Sequence, residues 1–261
     1  MIRRELGRTG IVCSVLGLGT VKLGRNTGVK YPVGFELPGD DLVQRLLSRA
    51  VELGLDILDT APAYGSSEER LGRLLSGQRD RWSIITKCGE RFNDGRSSFD
   101  FSPQGVRGSV EESLRKLRTD RVEVLLVHSD GQIETHMPDE LWRELAQLKK
   151  AGKVRAIGVS TKTVNGARLC MDHCDVLMLT LHSGYLDELP VIAQARDRGV
   201  GVLIKKALDS GHGKDPAASL RMVVDTAGVT SAIVGTLRVE HLEANCRAVS
   251  GPPDRGENAP S

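Results

Sequence analysis

The sequence predicts an α/β protein: a single (β/α)8 barrel of the TIM type, entered through an N-terminal β-hairpin. Three observations lead there. A short apolar run, a polar loop and an amphipathic stretch recur eight times along the chain, and alternating strands and helices imply a parallel sheet that closes at eight units. The length of 261 residues suits one such barrel. No Gly-x-Gly-x-x-Gly opens the first helix, which argues against an open doubly wound sheet; Gly17-Leu-Gly19 is a fragment after which the glycine spacing breaks.

Residues 3–13, with Arg8-Thr9-Gly10 at the turn, read as the hairpin, and 15–19 as the first barrel strand. Asp40 or Asp41 caps a helix with Leu42, Leu46, Leu47, Ala50 and Leu53 on one face, ended by Gly54. Residues 55–59 form the second strand and 68–75 its helix; 82–86 form the third strand. Ser102-Pro103 starts the helix behind it, a capping hydroxyl before a proline at the first helical position, with Val106, Val110, Leu114 and Leu117 as the buried stripe. The remaining units pair 122–127 with 138–150, 154–159 with 164–172, 176–181 with 189–198, 200–204 with 217–226, and 231–234 with 239–249. Residues 1–249 read as one domain and the polar, Pro-rich 250–261 as a disordered tail.

Composition narrows the function. Hydrophobic residues make up 39% of the chain and no apolar run reaches spanning length, so no membrane helix is expected. The opening Met-Ile-Arg-Arg-Glu-Leu-Gly lacks the apolar stretch of a secretory signal, and a cytoplasmic location is expected. A net charge of +2, with both signs interspersed, argues against nucleic acid or membrane and leaves a small molecule as the partner. The five cysteines are irregularly spaced, and Cys170 and Cys174, with His173 between them, lack a second ligand pair; reduced thiols and no metal are expected.

Barrel enzymes work at the C-terminal ends of their strands. Asp59 ends the second apolar run, Lys87 and His128 follow the third and fourth, and Tyr64 lies in the loop after Asp59. Taken singly, these read as a helix cap, a rim charge, a structural histidine and a turn. Together, on three consecutive strand ends, they suit proton transfer. A phenol has a pKa of about 10, which a nearby ammonium lowers. Lys87 supplies that charge, Asp59 positions Lys87, and His128 donates to a substrate oxygen or relays a proton to Tyr64. Such a set protonates a carbonyl oxygen while another agent delivers hydride, which no side chain does; a nicotinamide is implied.

Leu55-Asp-Ile-Leu-Asp-Thr-Ala-Pro-Ala-Tyr-Gly-Ser-Ser-Glu-Glu-Arg-Leu-Gly72 resembles the signature of the aldo-keto reductases, as do Ile85-Thr-Lys87, residues 109–120, Val127-His128 and Gly158-Val-Ser160, over a stretch running from Arg4 to Val249. The resemblance implies the tetrad Asp59, Tyr64, Lys87 and His128, and transfer of hydride between a nicotinamide and an aldehyde or ketone, or the matching alcohol or sugar. Phe99-Asp-Phe-Ser102 is similar to the sugar dehydrogenase branch. The implied cofactor is NADPH, with NADH as the alternative. Its implied contacts are Gly19, Thr20, Val21, Asp59, Ser160, Thr161, Lys205, Lys206, Ala207, Leu208, Gly235, Thr236, Arg238, His241 and Asn245. Arg238 would meet a 2′-phosphate and the two lysines the pyrophosphate.

Several positions depart from the family pattern. Thr161 stands where asparagine is usual, Met178 and Leu179 where a carboxamide holds the nicotinamide amide, Lys205-Lys206-Ala207-Leu208 where an aromatic ring stacks, and Ala244 where glutamate is common. The short segment 129–137 predicts an open substrate site. These departures keep a second reading in play, a nicotinamide-binding, low-turnover sensor or regulatory protein on the same barrel. A third is a Schiff-base lyase using Lys87 or Lys205.

Overall fold

In the computed structural model, which describes residues 1–250, the chain enters through an antiparallel hairpin of β1 (Arg3–Glu5) and β2 (Val12–Ser14). Then come β3 (Leu16–Gly19), β4 (Ile57–Asp59) and β5 (Ser83–Cys88), a second hairpin of β6 (Glu90–Asn93) and β7 (Arg96–Phe99), and β8 (Val122–His128), β9 (Val154–Ser160), β10 (Val176–Thr180), β11 (Gly201–Lys205) and β12 (Ser231–Val234). All but the two hairpins join a closed eight-stranded parallel barrel, in which β12 returns to β3 with Ala232 opposite Leu16 and Val234 opposite Leu18. The helices are α1 (Val21–Gly24), α2 (Asp40–Glu52), α3 (Ser67–Leu74), α4 (Pro103–Leu117), α5 (Asp139–Lys150), α6 (Val164–Cys170), α7 (Leu189–Arg198), α8 (Pro216–Asp225) and α9 (Val239–Ser250).

Strand alternation splits the apolar residues into two layers. Ile57, Ile85, Val124, Leu126, Met178, Leu203 and Ile233 fill the barrel, and Leu6, Ile11 and Cys13 of the first hairpin close one end of that interior. Their neighbours Leu58, Ile84, Leu125, Leu179, Ile204 and Val234 point outward into a second cluster shared with the helices. At Gly158, a Cβ would collide with the backbone oxygen of Val176, so only glycine lets β9 and β10 pair.

The predicted hairpin and the eight strand–helix units appear in order, with boundaries shifted by a few residues. Ser102 caps α4 as expected, its Oγ accepting from Gly105 N at 3.1 Å. Asp40 and Asp41 do not cap α2; Gly39 precedes it, and the two carboxylates sit in the first turn, where the helix dipole favours them. The buried face of α2 is Val43, Leu46, Leu47 and Ala50, with Leu42 and Leu53 at its margin. The expected tail falls on residues 251–261, outside the described residues, and Ser250 is the last residue of α9.

The second hairpin was not predicted. Its strands are mostly polar and exposed, so they carry no apolar alternation. Their signal is Asp94-Gly95, both at positive φ (50° and 80°), the requirement of a tight hairpin turn.

Candidate active site

Asp59, Lys87 and His128 stand toward the C-terminal ends of β4, β5 and β8, which are neighbours in the barrel, and Tyr64 ends the short turn that follows β4. Lys87 is 1% exposed. Its Nζ donates to Asp59 Oδ1 at 2.6 Å and to Thr60 O at 3.0 Å, and lies 4.7 Å from the centroid of the Tyr64 ring. Burial pulls the Lys87 ammonium down, but Asp59 and then Tyr64 outweigh it and hold the pKa above its ordinary value. Lys87 therefore stays charged.

Tyr64 corrects one expectation. Its pKa is not lowered: burial, the largest influence, lifts it above its ordinary value, with Lys87 opposing and Asp59 adding to the rise. At neutral pH the phenol keeps its proton and is poised as a donor.

His128 lies edge-on to Tyr64, with ring centroids 6.2 Å apart, and Glu90 of β6 brings Oε2 to 2.7 Å from its Nδ1. The oxygen is off the ring's hydrogen-bonding direction, so this is an electrostatic contact. Burial alone would raise Glu90; the His128 contact, then Ser97 and Arg25, bring it down to about 2, and it is an anion. His128 is held below its ordinary pKa, by burial first and then by Lys87 and Lys205 against the pull of Glu90. The neutral imidazole is the resting form at neutral pH, because the net shift is downward from an ordinary value of 6.5. The carboxylate favours the proton on Nδ1, which leaves Nε2 as an acceptor. Of the two roles expected for His128, relay suits this form better than donation.

The tetrad opens into a hollow of about 590 Å³, lined by Tyr64, His128, Gly19, Thr20, Val21, Asp59, Thr161, Lys205, Lys206 and Gly235 among others. A second hollow of about 380 Å³ shares Tyr31 and Gly235 with the first and runs past Leu208, Thr236, His241 and Asn245. Most of the expected cofactor residues thus line one continuous groove. Ser160, Ala207 and Arg238 do not. Ser160 is buried, with its Oγ accepting from Lys205 Nζ at 3.0 Å; Ala207 is buried, its carbonyl taken by Ser219; Arg238 is exposed beyond the groove. Thr20 also serves structure, its hydroxyl donating to Asp59 O at 2.8 Å.

The groove suits a dinucleotide on two counts. Thr161 Oγ1 is buried without a hydrogen-bond partner, a polar atom that needs one. At Gly235 the backbone is open to close approach, a Cβ there lying 3.3 Å from Gly19 O and 3.6 Å from the Tyr31 hydroxyl. Met178 and Leu179 explain the missing carboxamide: Met178 packs inside the barrel and Leu179 against the helices, and Thr180 is the β10 residue in the pocket. In the run Lys205-Lys206-Ala207-Leu208, which carries no aromatic ring, the Lys205 ammonium donates to Thr161 O.

Sequence reasoning missed Glu90, Arg25, Lys30, Tyr31, Lys162 and Thr180, all of which line the tetrad's pocket. Arg25 is anchored by the carbonyls of Thr27, Gly28 and Ala63 and lies 3.2 Å over the Phe92 ring. The Asp94-Gly95 turn could have revealed Glu90; the loop carrying Lys30 and Tyr31 has no comparable signal. Segment 129–137 contributes nothing to the pocket wall; its Glu134 instead accepts from Lys162 N and Thr163 N. The five cysteines are all buried and unpaired.

What this rim defines first is a class, the (β/α)8-barrel oxidoreductases. Comparison with known proteins takes it further: the sequence model of the Aldo/keto reductase family matches residues 15–216, and the chain belongs to that family. It is 34% identical over 224 residues to L-galactose dehydrogenase of Arabidopsis thaliana, covering 80% of this chain and 66% of that protein. It is 26% identical over 228 residues to NADH-specific methylglyoxal reductase of Escherichia coli, covering 81% of this chain and 68% of that one. The chain thus spans about two thirds of the length of these relatives. A solved aldo-keto reductase structure from Pseudomonas aeruginosa is 46% identical with a TM-score of 0.87, covering 95% of this chain and 94% of that one.

Proposed function

We propose that this chain reduces an aldehyde or ketone with a nicotinamide dinucleotide, or oxidises the matching alcohol or sugar, with Tyr64 as general acid and base. The observation that carries this reading is the Lys87 ammonium 4.7 Å from the centroid of the Tyr64 ring, with Tyr64 lining a pocket that shares Tyr31 and Gly235 with a second hollow.

The bound dinucleotide supplies the hydride. Tyr64 delivers its proton to the carbonyl oxygen as negative charge develops there. Lys87 then stabilises the resulting phenolate, and Asp59 keeps Lys87 charged and in place. His128, with the Glu90 carboxylate 2.7 Å from its Nδ1, takes a proton from solvent at Nε2 and passes it to the Tyr64 phenolate, returning to the neutral form. Thr161 offers its free hydroxyl to the nicotinamide end, while Thr236, His241 and Asn245 line the adenosine end. The exposed Arg238 favours NADPH by pairing with a 2′-phosphate; one relative is named NADH-specific, so the preference is a point to measure. The relatives' names, a sugar dehydrogenase and a small-aldehyde reductase, support a small polar carbonyl substrate. No helix among the described residues is long and apolar enough to cross a membrane. No feature of the site favours a sensor over turnover.

The test is fluorescence titration of NADPH and NADH into the purified chain and into Tyr64→Phe, followed by turnover of an aldehyde panel. Binding should survive the substitution while kcat falls by about 10²- to 10⁴-fold, the usual worth of a positioned proton donor. Failure to bind either nucleotide would remove the reading.

A further inference from the structure

The pocket of the tetrad leaves in two directions. One exit passes Tyr31 and Gly235 into the groove that ends at Asn245. The other passes Lys30, Lys162, Thr180 and Lys206 into a third hollow of about 340 Å³, walled further by His182, Tyr185, Glu188, Asp209, Ser210 and His212. None of the three lysines at this second exit lines the Asn245 groove.

We propose that Lys30, Lys162 and Lys206 form a receptor for an anionic group, so that the preferred carbonyl substrate carries a carboxylate or phosphate. This rests on the reductase reading for the identity of the reacting group, and on the lysines alone for the charge.

The buried Lys87 at this rim is paired with Asp59. Lys30, Lys162 and Lys206 make no ion pair among the described residues, although they converge from three loops, after β3, β9 and β11. Two acids line the same hollow and act on Lys206 through space, and each also has a closer partner. Glu188 Oε2 accepts from Thr180 N at 2.8 Å, and Asp209 Oδ1 lies 3.7 Å from His182 Nε2. Lys206 also adopts a left-handed backbone, φ 56°, which a lysine rarely takes without a reason in its surroundings. Lys206 is exposed, and its ammonium is held below its ordinary pKa by partial burial first, then by Lys30 and Lys162, with Glu188 and Asp209 opposing. Crowding of like charge is what a bound anion relieves. With Arg25 also in the wall, and Asp59 and Glu90 as its carboxylates, basic groups outnumber acidic ones in the pocket while the chain as a whole carries only +2. The cationic character is local and built by the fold. It suits a substrate of opposite charge. His182, Tyr185, Ser210 and His212 add further polar groups to this hollow, Ser210 also bordering the Asn245 groove, as an anion's remaining oxygens require.

The experiment compares succinic semialdehyde with butyraldehyde, and glyceraldehyde phosphate with glyceraldehyde, in the wild type, Lys30→Met and Lys162→Met. It is run alongside NADPH titration and calorimetric titration of succinate into the same proteins. The wild type should favour the anionic member of each pair. Each substitution should raise KM for that member by about 10-fold while leaving the neutral aldehyde and the NADPH Kd unchanged. Succinate binding should weaken by a similar factor. Weaker NADPH binding in the variants, with the substrate preference intact, would assign the lysines to the cofactor pyrophosphate and overturn the proposal. Equal KM values within each pair in the wild type would also overturn it. Lysine-dependent succinate binding without turnover of any aldehyde would uphold the anion site and count against the reductase reading alone.

Discussion

Glu90 Oε2 lies 2.7 Å from His128 Nδ1, joining an exposed hairpin to the tetrad. Glu90→Gln keeps the shape and removes the charge. Because Glu90 raises the His128 pKa against burial, its loss lets that pKa fall further. The acid limb of the kcat/KM profile should move to lower pH, and kcat should fall by about 10-fold as the imidazole loses its preferred tautomer. An unchanged profile would leave Glu90 a structural partner only.

The same pair affects acid stability. The folded pKa of Glu90 is depressed to about 2 from 4.5, so its contribution is present in full above 4.5 and is lost as pH falls through about 2. Urea unfolding of wild type and Glu90→Gln should show a stability gap at neutral pH that closes across that window.

Asp59→Asn isolates the buried ion pair. It leaves the Lys87 ammonium, 1% exposed, without its carboxylate and with neutral acceptors such as the Thr60 carbonyl, a loss worth about 3–5 kcal/mol when one member of a buried pair is removed. The variant should melt well below the wild type and lose turnover even at temperatures where it remains folded.

Lys205→Met tests burial in the opposite sense. Burial, then Lys206, lower the Lys205 pKa from 10.5 to about 7. Below 7 the amine is charged in both states and the folded protein bears the full desolvation cost. Between 7 and 10.5 the unfolded chain binds the extra proton, so wild-type stability rises with pH. Lys205→Met should therefore melt above the wild type below pH 7, with the difference shrinking as pH climbs through that range. A constant difference would mean that the amine's bonds to Ser160 and Thr161 fully offset its burial.

Gly158→Ala should weaken the barrel at its β9–β10 seam, since the added methyl meets the Val176 backbone, which cannot move as a side chain can. Overpacking of this kind costs about 1–3 kcal/mol or more, and thermal unfolding reads it directly.

The eight-unit barrel was legible because its strands and helices bury opposite faces and the periodicity must show it. The same regularity placed Asp59, Lys87 and His128 at consecutive strand ends and Tyr64 in the loop after the first of them, and the family signature implied the same four residues. Loop geometry was not legible in this way. Residues 25–31 and β6–β7 are polar and mostly exposed, so no apolar pattern betrays which rim they cover, and Glu90, Arg25 and Lys30 went unnoticed.

By itself, then, the sequence determined the order of the barrel and the identity of its rim residues, since both follow from local patterning along the chain. The tertiary structure alone decided their electrostatic state. Desolvation, not the neighbouring ammonium, governs Tyr64; a carboxylate from a distant hairpin comes to 2.7 Å from the His128 ring; and three loops bring lysines to one exit. Charge and burial act through space, between segments whose meeting no single stretch of sequence records.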